Sequence, residues 1–529
     1  MDDKQTPSSA HLSHMANAVI TTIEKKEAPN AEPKIVVNRF VSELATWYEK
    51  LRNAMDINDD EVILRSAIER ILGRRLLLGG NPRKIAEPLL RELVWARYFQ
   101  NNTLPESMVE KVSEIIDVHM KLRKMVLDQG ILKEKTVNEW IKQLTSSQIA
   151  RSLSPNIEKN TLSNFMYHIM RDRLSILDDN DDTKNVQEYI AVRRAFARDD
   201  IAFLRYYLFN QIFGEITSSN LQKVADHFVK AYQEVEYQLH YKLKEKIFIF
   251  VKRQTPVFFI LEDVMKSHKE NLRQLIANGE EFTKAVFTAC DIRYKGIASK
   301  VRRAIIRSVV FLIVTKAIIA LGVEGSYENW RYGHIAWETI GINTGIPPLL
   351  MIVVSLFIKT PDKENSKRIL TKIQSVLFDE TPNITPPLKL SLVPPKGNTI
   401  IKTVFGLLWF AAFFISFGFM VYVLNKLHFD IVSQGIFLFF IAIVSFLAYR
   451  INSTAHMYTI DDKQSLLTPF IDFLFIPVVR VGMLLTDGIS QINIIIFLFD
   501  FLIEAPFKAV FAFFEQWFLY MHTKREDLE

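Results

Sequence analysis

Cysteine is nearly absent from this 529-residue chain: Cys290 stands alone, which excludes an intramolecular disulfide and a cysteine-based zinc site. Eleven histidines occur without an HExxH or HxH pairing, and no GxSxG, GxGxxG or HRD motif is present. Nothing positive therefore argues for an enzyme, and no cofactor or metal is expected. The formal net charge is +6, yet no long Lys/Arg run is interleaved with aromatic residues, so no nucleic-acid partner is expected either. The opening MDDKQTPSSAHLSHMANAV has no apolar core, which excludes a secretory signal or an Arg-rich transit sequence and predicts that the first 300 or so residues stay where they are made. The last absence is the most informative. Residues 403–425, TVFGLLWFAAFFISFGFMVYVLN, carry no formal charge over 23 positions. At about 1.5 Å of rise per helical residue such a run crosses a hydrocarbon core of roughly 30 Å.

What is present divides the chain in two. Charged residues make up 23% of the total but crowd the part before Arg303, whereas many of the 39 phenylalanines gather near the C-terminus. Residues 1–33 are polar and predict a disordered tail. From 34 to 300 the pattern is helical: Leu221, Val224, Phe228, Tyr232, Val235 and Leu239 recur every three or four positions, and a similar stripe spans 186–213. Turn signals separate such stretches, and seven to ten helices are expected before Gln254. Thr255-Pro256 reads as a helix start, and the apolar VFFILEDVM behind it suggests a helix near a membrane surface.

Four spanning helices account for the charge pattern. Residues 304–323 follow Lys300, Arg302 and Arg303, and residues 339–358 form the second candidate. Between them lies an expected outer loop, 322–338, with three glutamates against Arg331 and an aromatic set of Trp330, Tyr332 and Trp337. The basic, Pro-rich linker 359–402 holds eight Lys or Arg against four Asp or Glu and belongs inside with the N-terminal domain. Residues 403–425 and 431–449 complete the set within 403–450. The segment 464–521 is apolar with a polar stripe of Asp472, Arg480, Asp487, Asp500, Glu504 and Lys508, which predicts amphipathic helices lying in the membrane surface, broken at Pro469, Pro477, Gly488 and Pro506.

Two intramembrane features could carry chemistry. Lys316 interrupts VVFLIVTKAIIAL; an ammonium there can serve a relay, but it can also snorkel outward, as Arg307 can inward. The stretch 341–348 contains Gly341, Asn343, Gly345, Pro347 and Pro348, which suggests a helix break of the kind that holds ions in transporters, or a helix that begins at Pro347. The acids Asp178, Asp179, Asp181 and Asp182 lack the glycine and spacing of a calcium loop and read as a solvated turn. Arg74, Arg75, Arg83 and Lys84 around 79–81 lack the phosphate-loop spacing and read as a helix corner.

In layout, and in the phrases RRLLLGGNPRKIAEPLLREL and DFLIEAPFKAVFAFFEQW, the chain is similar to uncharacterised multi-spanning membrane proteins of bacteria with compact, A+T-rich genomes. The resemblance implies a bacterial inner-membrane setting and no activity. The sequence thus predicts an all-α protein: a cytoplasmic helical domain, four transmembrane helices, and C-terminal surface helices. Its expected partners are the lipid bilayer, a cytoplasmic protein and a second copy of the chain. The leading functional expectation is a non-enzymatic scaffold or docking protein. A channel or transporter subunit built on Lys316 and 341–348 comes second, and a membrane-bound enzyme acting on lipid third.

Overall fold

The computed structural model describes residues 11–24, 32–35, 60–78, 81–333, 337–393, 399–427, 429–460 and 468–490. They are predominantly helical and fall into two compact units. One comprises the described parts of Ser8–Arg273 with Ser375–Leu392; the other those of Gln274–Gln374 with Val393–Leu498.

The first unit contains α1 (His14–Glu24), α2 (Asp60–Leu78), α3 (Pro82–Trp95), α4 (Ser107–Asp128), α5 (Glu134–Leu153), α6 (Ile157–Met170), α7 (Asp181–Val192), α8 (Ile201–Phe213), α9 (Leu221–Leu239), α10 (Lys244–Lys252) and α11 (Thr255–Ser267). Helix starts follow their capping chemistry. The side chains of Asn81, Asn156, Asn180 and Asp200 accept hydrogen bonds from backbone N–H groups in the first turns of α3, α6, α7 and α8. Two apolar clusters fill the interior. One joins α2, α3, α4 and α5 around Leu89, Leu93 and Val112; the other gathers α4, α5, α8 and α9 around Trp140. The Trp140 ring meets Phe209, Phe228 and Tyr232 edge-on, and its Nε1 donates to Glu236, so a large apolar body is buried while its one polar atom is paired. The striped helix read from 221–239 is α9 itself, with Val224, Phe228 and Val235 inward.

Three expectations change here. The stretch 186–213 is two helices, α7 and α8, joined by a π-helical turn, Arg193–Ala197, and by Arg198 in the left-handed region at φ 60°. The supposed disordered tail contains α1, whose Ala16, Val19, Ile20 and Ile23 are buried. Arg273 fixes its outer face by donating to Asn17, Thr21 and Glu24, and Ser13 N–H donates to the Leu377 carbonyl. The VFFILEDVM helix is not at a surface: Val257, Phe258, Ile260 and Leu261 of α11 are buried, with Phe258 against Phe165 and Phe196. A two-stranded parallel sheet pairs β1 (Leu174–Ile176) with β2 (Leu388–Leu390).

The second unit carries α12 (Leu272–Ala277) into α13 (Gly279–Ile319), a second π-helical turn (Ala320–Glu324), α14 (Gly325–Tyr332), α15 (Trp337–Ser355), α16 (Lys363–Phe378), α17 (Thr399–Lys426), α18 (Ile431–Ala455) and α19 (Thr468–Ser490). The ends of α12 and α16 fall on the first unit's side of the division. Among the described residues three helical stretches are long and apolar enough to cross a membrane: Gly279–Arg331, Thr403–Lys426 and Ile431–Ala455. Ile340–Ser355 and Phe473–Thr486 are shorter apolar helices. Phe405, Phe410, Phe414 and Phe419 of α17 are exposed, a row of aromatic surface that suits lipid and not water.

Within this unit α13, α15 and α18 pack together, and α19 lies along α17 and α18. At Gly482 the crossing is so close that a Cβ would collide with the Ala442 carbonyl, the close approach that small residues allow between membrane helices. The expected outer loop at 322–338 is largely helical: α13, the π-turn and α14 run on through Tyr332. The helix α19 also continues through Pro477, where a break was expected.

Candidate functional site in the apolar helices

Lys316 lies on α13, three residues before it ends, and is completely buried; it does not snorkel. Its Nζ stands 3.5 Å from Oε2 of Glu324, which is also completely buried. The π-turn is the reason these residues meet. In a regular helix residue i+8 sits about 80° around the axis from residue i. One extra residue absorbed in a wide turn makes the spacing behave as i+7, about 20° off the same face. The Gly325 N–H reaching back to the Ala320 carbonyl is that wide bond.

The second side of the site comes from α15. Asn343, fully buried, donates from Nδ2 to Oε1 of Glu324 and reaches the Ser433 carbonyl of α18 at 3.5 Å. The Phe440 ring of α18 lies 4.9 Å from the Lys316 ammonium, in cation–π range. Three helices and a π-turn thus converge on one ion pair. Four polar atoms in this neighbourhood are buried without a hydrogen-bond partner: Lys316 Nζ, Glu324 Oε2, Asn343 Oδ1 and Thr344 Oγ1. Desolvating an ion pair costs several kcal/mol per charge. The Lys316–Glu324 contact returns only part of that cost, because neither charged atom completes a hydrogen bond.

Of the other residues singled out in the sequence, some join this arrangement and others do not. Arg307 is exposed on α13 and stays apart. The predicted helix break at 341–348 is absent: α15 is helical throughout, with Gly341 and Gly345 exposed and Pro347 and Pro348 buried inside it. Each proline still removes a backbone donor, so the carbonyls of Asn343 and Thr344 lose their usual i+4 partners. Of the polar stripe, Asp472, Arg480 and Asp487 belong to α19, and the Arg480 guanidinium lies 5.6 Å over the Trp409 ring. Asp500, Glu504 and Lys508 lie outside the described residues.

Glu324 is the residue of this cluster that sequence reasoning missed. It was counted with the charges of a loop, and only the spacing 316/324 could have pointed to it. Elsewhere the charged clusters serve the fold. Tyr241 donates to Asp179 and Ser391 to Asp178, while Glu92 binds both Arg74 and Arg75. Among the described residues no group of three or more His, Cys, Asp or Glu is placed to hold a metal. No family model, no curated protein and no solved structure matches this chain.

Proposed function

We propose that this protein is a polytopic membrane protein that works as a channel or transporter subunit, with Lys316, Glu324 and Asn343 as the polar step inside its apolar helices. One observation carries the reading: an ionisable pair with no exposure and with unspent hydrogen-bonding capacity sits among helices suited to hydrocarbon. Intramembrane charges are expensive, and they concentrate at ion and substrate pathways. In this reading four spans place residues 34–300 and the basic linker in the cytoplasm, at an inner membrane of bacterial type.

A second reading, a scaffold that docks a cytoplasmic protein, is favoured by the helical unit, which holds two apolar clusters of its own. The two readings diverge in vesicles. Full-length protein reconstituted with sodium, rubidium and chloride tracers and an internal pH-sensitive dye should move at least one of these species, and Asn343→Leu should slow it about tenfold or more. No movement of any of them would leave the docking reading in its place. The same vesicles carrying Ser326→Cys or Asn383→Cys report sidedness, since an impermeant thiol reagent should reach the two from opposite faces.

A further inference from the structure

Which species the site handles follows from what surrounds it. Glu324 is the charged group facing Lys316 among the described residues; α15 presents Asn343 and α18 the Ser433 carbonyl and the Phe440 ring. A metal cation entering here would meet an ammonium 3.5 Å from the carboxylate that should bind it, with no exposed route for that ammonium to withdraw. An anion would meet the carboxylate in the same way. A proton needs neither extra room nor a coordination shell.

We infer that Lys316 and Glu324 form a proton-exchange pair, and that the proton is the species bound and released at this site. The inference rests on the reading of the cluster as a transport site. The chemistry balances without a co-reactant. When an Nζ–H bond of the lysine breaks and an Oε2–H bond of the glutamate forms, the ion pair becomes an amine and a carboxylic acid, and no charge stays buried. A proton entering from one side adds to the amine, and one leaving to the other side departs from the acid, which restores the ion pair.

Each neighbour has a part in this. Asn343 fixes Oε1 by donation and so leaves Oε2, the unpartnered oxygen, as the proton acceptor. The Phe440 face favours the ammonium, which sets the ion pair against the neutral pair. Glu324 ends a π-turn whose Leu321, Gly322 and Val323 are exposed, so the pair lies one turn from the outer surface of its own unit.

The test uses full-length protein in vesicles of phosphatidylethanolamine and phosphatidylglycerol, with a potassium diffusion potential and an internal pH dye. Proton entry is expected in the native chain, with a loss of about tenfold or more in Glu324→Gln and in Lys316→Met, and near-native rates in Arg307→Gln. Infrared difference spectra between acid and alkaline buffer supply an independent readout. A carboxylic-acid C=O band should appear in the native protein and vanish in Glu324→Gln even if that variant transports nothing. Tracer movement without proton entry would overturn the proton while leaving the transport reading intact. A Glu324 band without any flux would do the reverse. Absence of both the band and proton entry would remove the proton-exchange pair altogether.

Discussion

Two buried ion pairs, one in each unit, are built with the same backbone device and completed to different degrees. In the helical unit Arg193 opens a π-turn and its Nε donates to Asp199 at 2.5 Å; both side chains are 2% exposed. The guanidinium also donates to Asn160 and lies 3.9 Å over the Tyr207 ring. In the apolar unit Glu324 closes a π-turn and meets Lys316 at 3.5 Å, with bonding capacity left on both sides. Arginine's planar fork spends its donors in fixed directions, whereas an ammonium is a point charge that can give up a proton. The first pair is a fixed joint. The second is looser, with donor and acceptor atoms left unpartnered.

Breaking each pair separates these roles. Arg193→Met leaves Asp199 buried and uncompensated, and should cost about 3–5 kcal/mol in denaturant unfolding of the helical unit within the full chain. A loss under about 1 kcal/mol would reduce that pair to the level of a surface contact. A third buried acid sharpens the comparison. Glu188 is completely buried, neither carboxylate oxygen has a hydrogen-bond partner, and burial pushes its pKa up to about 9. The charges of Lys184 and Arg171 offset that burial only in part. The folded-state value of Glu188 lies above the unfolded one, so its contribution is most favourable below about pH 4.5 and is lost progressively up to about pH 9. Glu188→Gln should therefore flatten the pH dependence of stability and raise stability at pH 7 by about 2–3 kcal/mol. An unchanged profile would mean that the carboxylate is not neutral in the fold. The smallest effect is expected from removing both members of the apolar pair. Lys316→Met with Glu324→Gln should stay within about 1 kcal/mol of the native melting behaviour in detergent, because no lone charge remains. A large loss there would make this pair a joint as well.

Much of the architecture is legible in the chain because its cause is local. The 3.6-residue stripe at 221–239 is α9, and the uncharged run at 403–425 lies within α17, since periodicity and hydropathy act on neighbours in sequence. The candidate site was half legible. Lys316 and Asn343 stand out as polar residues in apolar runs, yet their junction is Glu324, which contacts a lysine eight positions before it and an asparagine nineteen positions after it. Whether that carboxylate faces the solvent or the interior depends on one wide helical turn, and a π-turn has no residue signature. The same blindness hides the division between α7 and α8. There an apparent single stripe is cut by the Arg193–Asp199 pair and by Asp200, which caps α8. The proline pair misled in the other direction: Pro347 and Pro348 read as a break, but neighbouring helices hold α15 in register around them.

The helix that carries Lys316 is 41 residues long, about 61 Å from end to end. Its first 25 residues, up to Arg303, are rich in charge, while the rest is largely apolar. A continuous helix is stiff in torsion and bending over such a length. A small tilt where the ion pair sits is therefore delivered, undiminished in angle and magnified in displacement, about 55 Å away at Gly279. In mechanical terms α13 is a tiller, with the ion pair at its pivot.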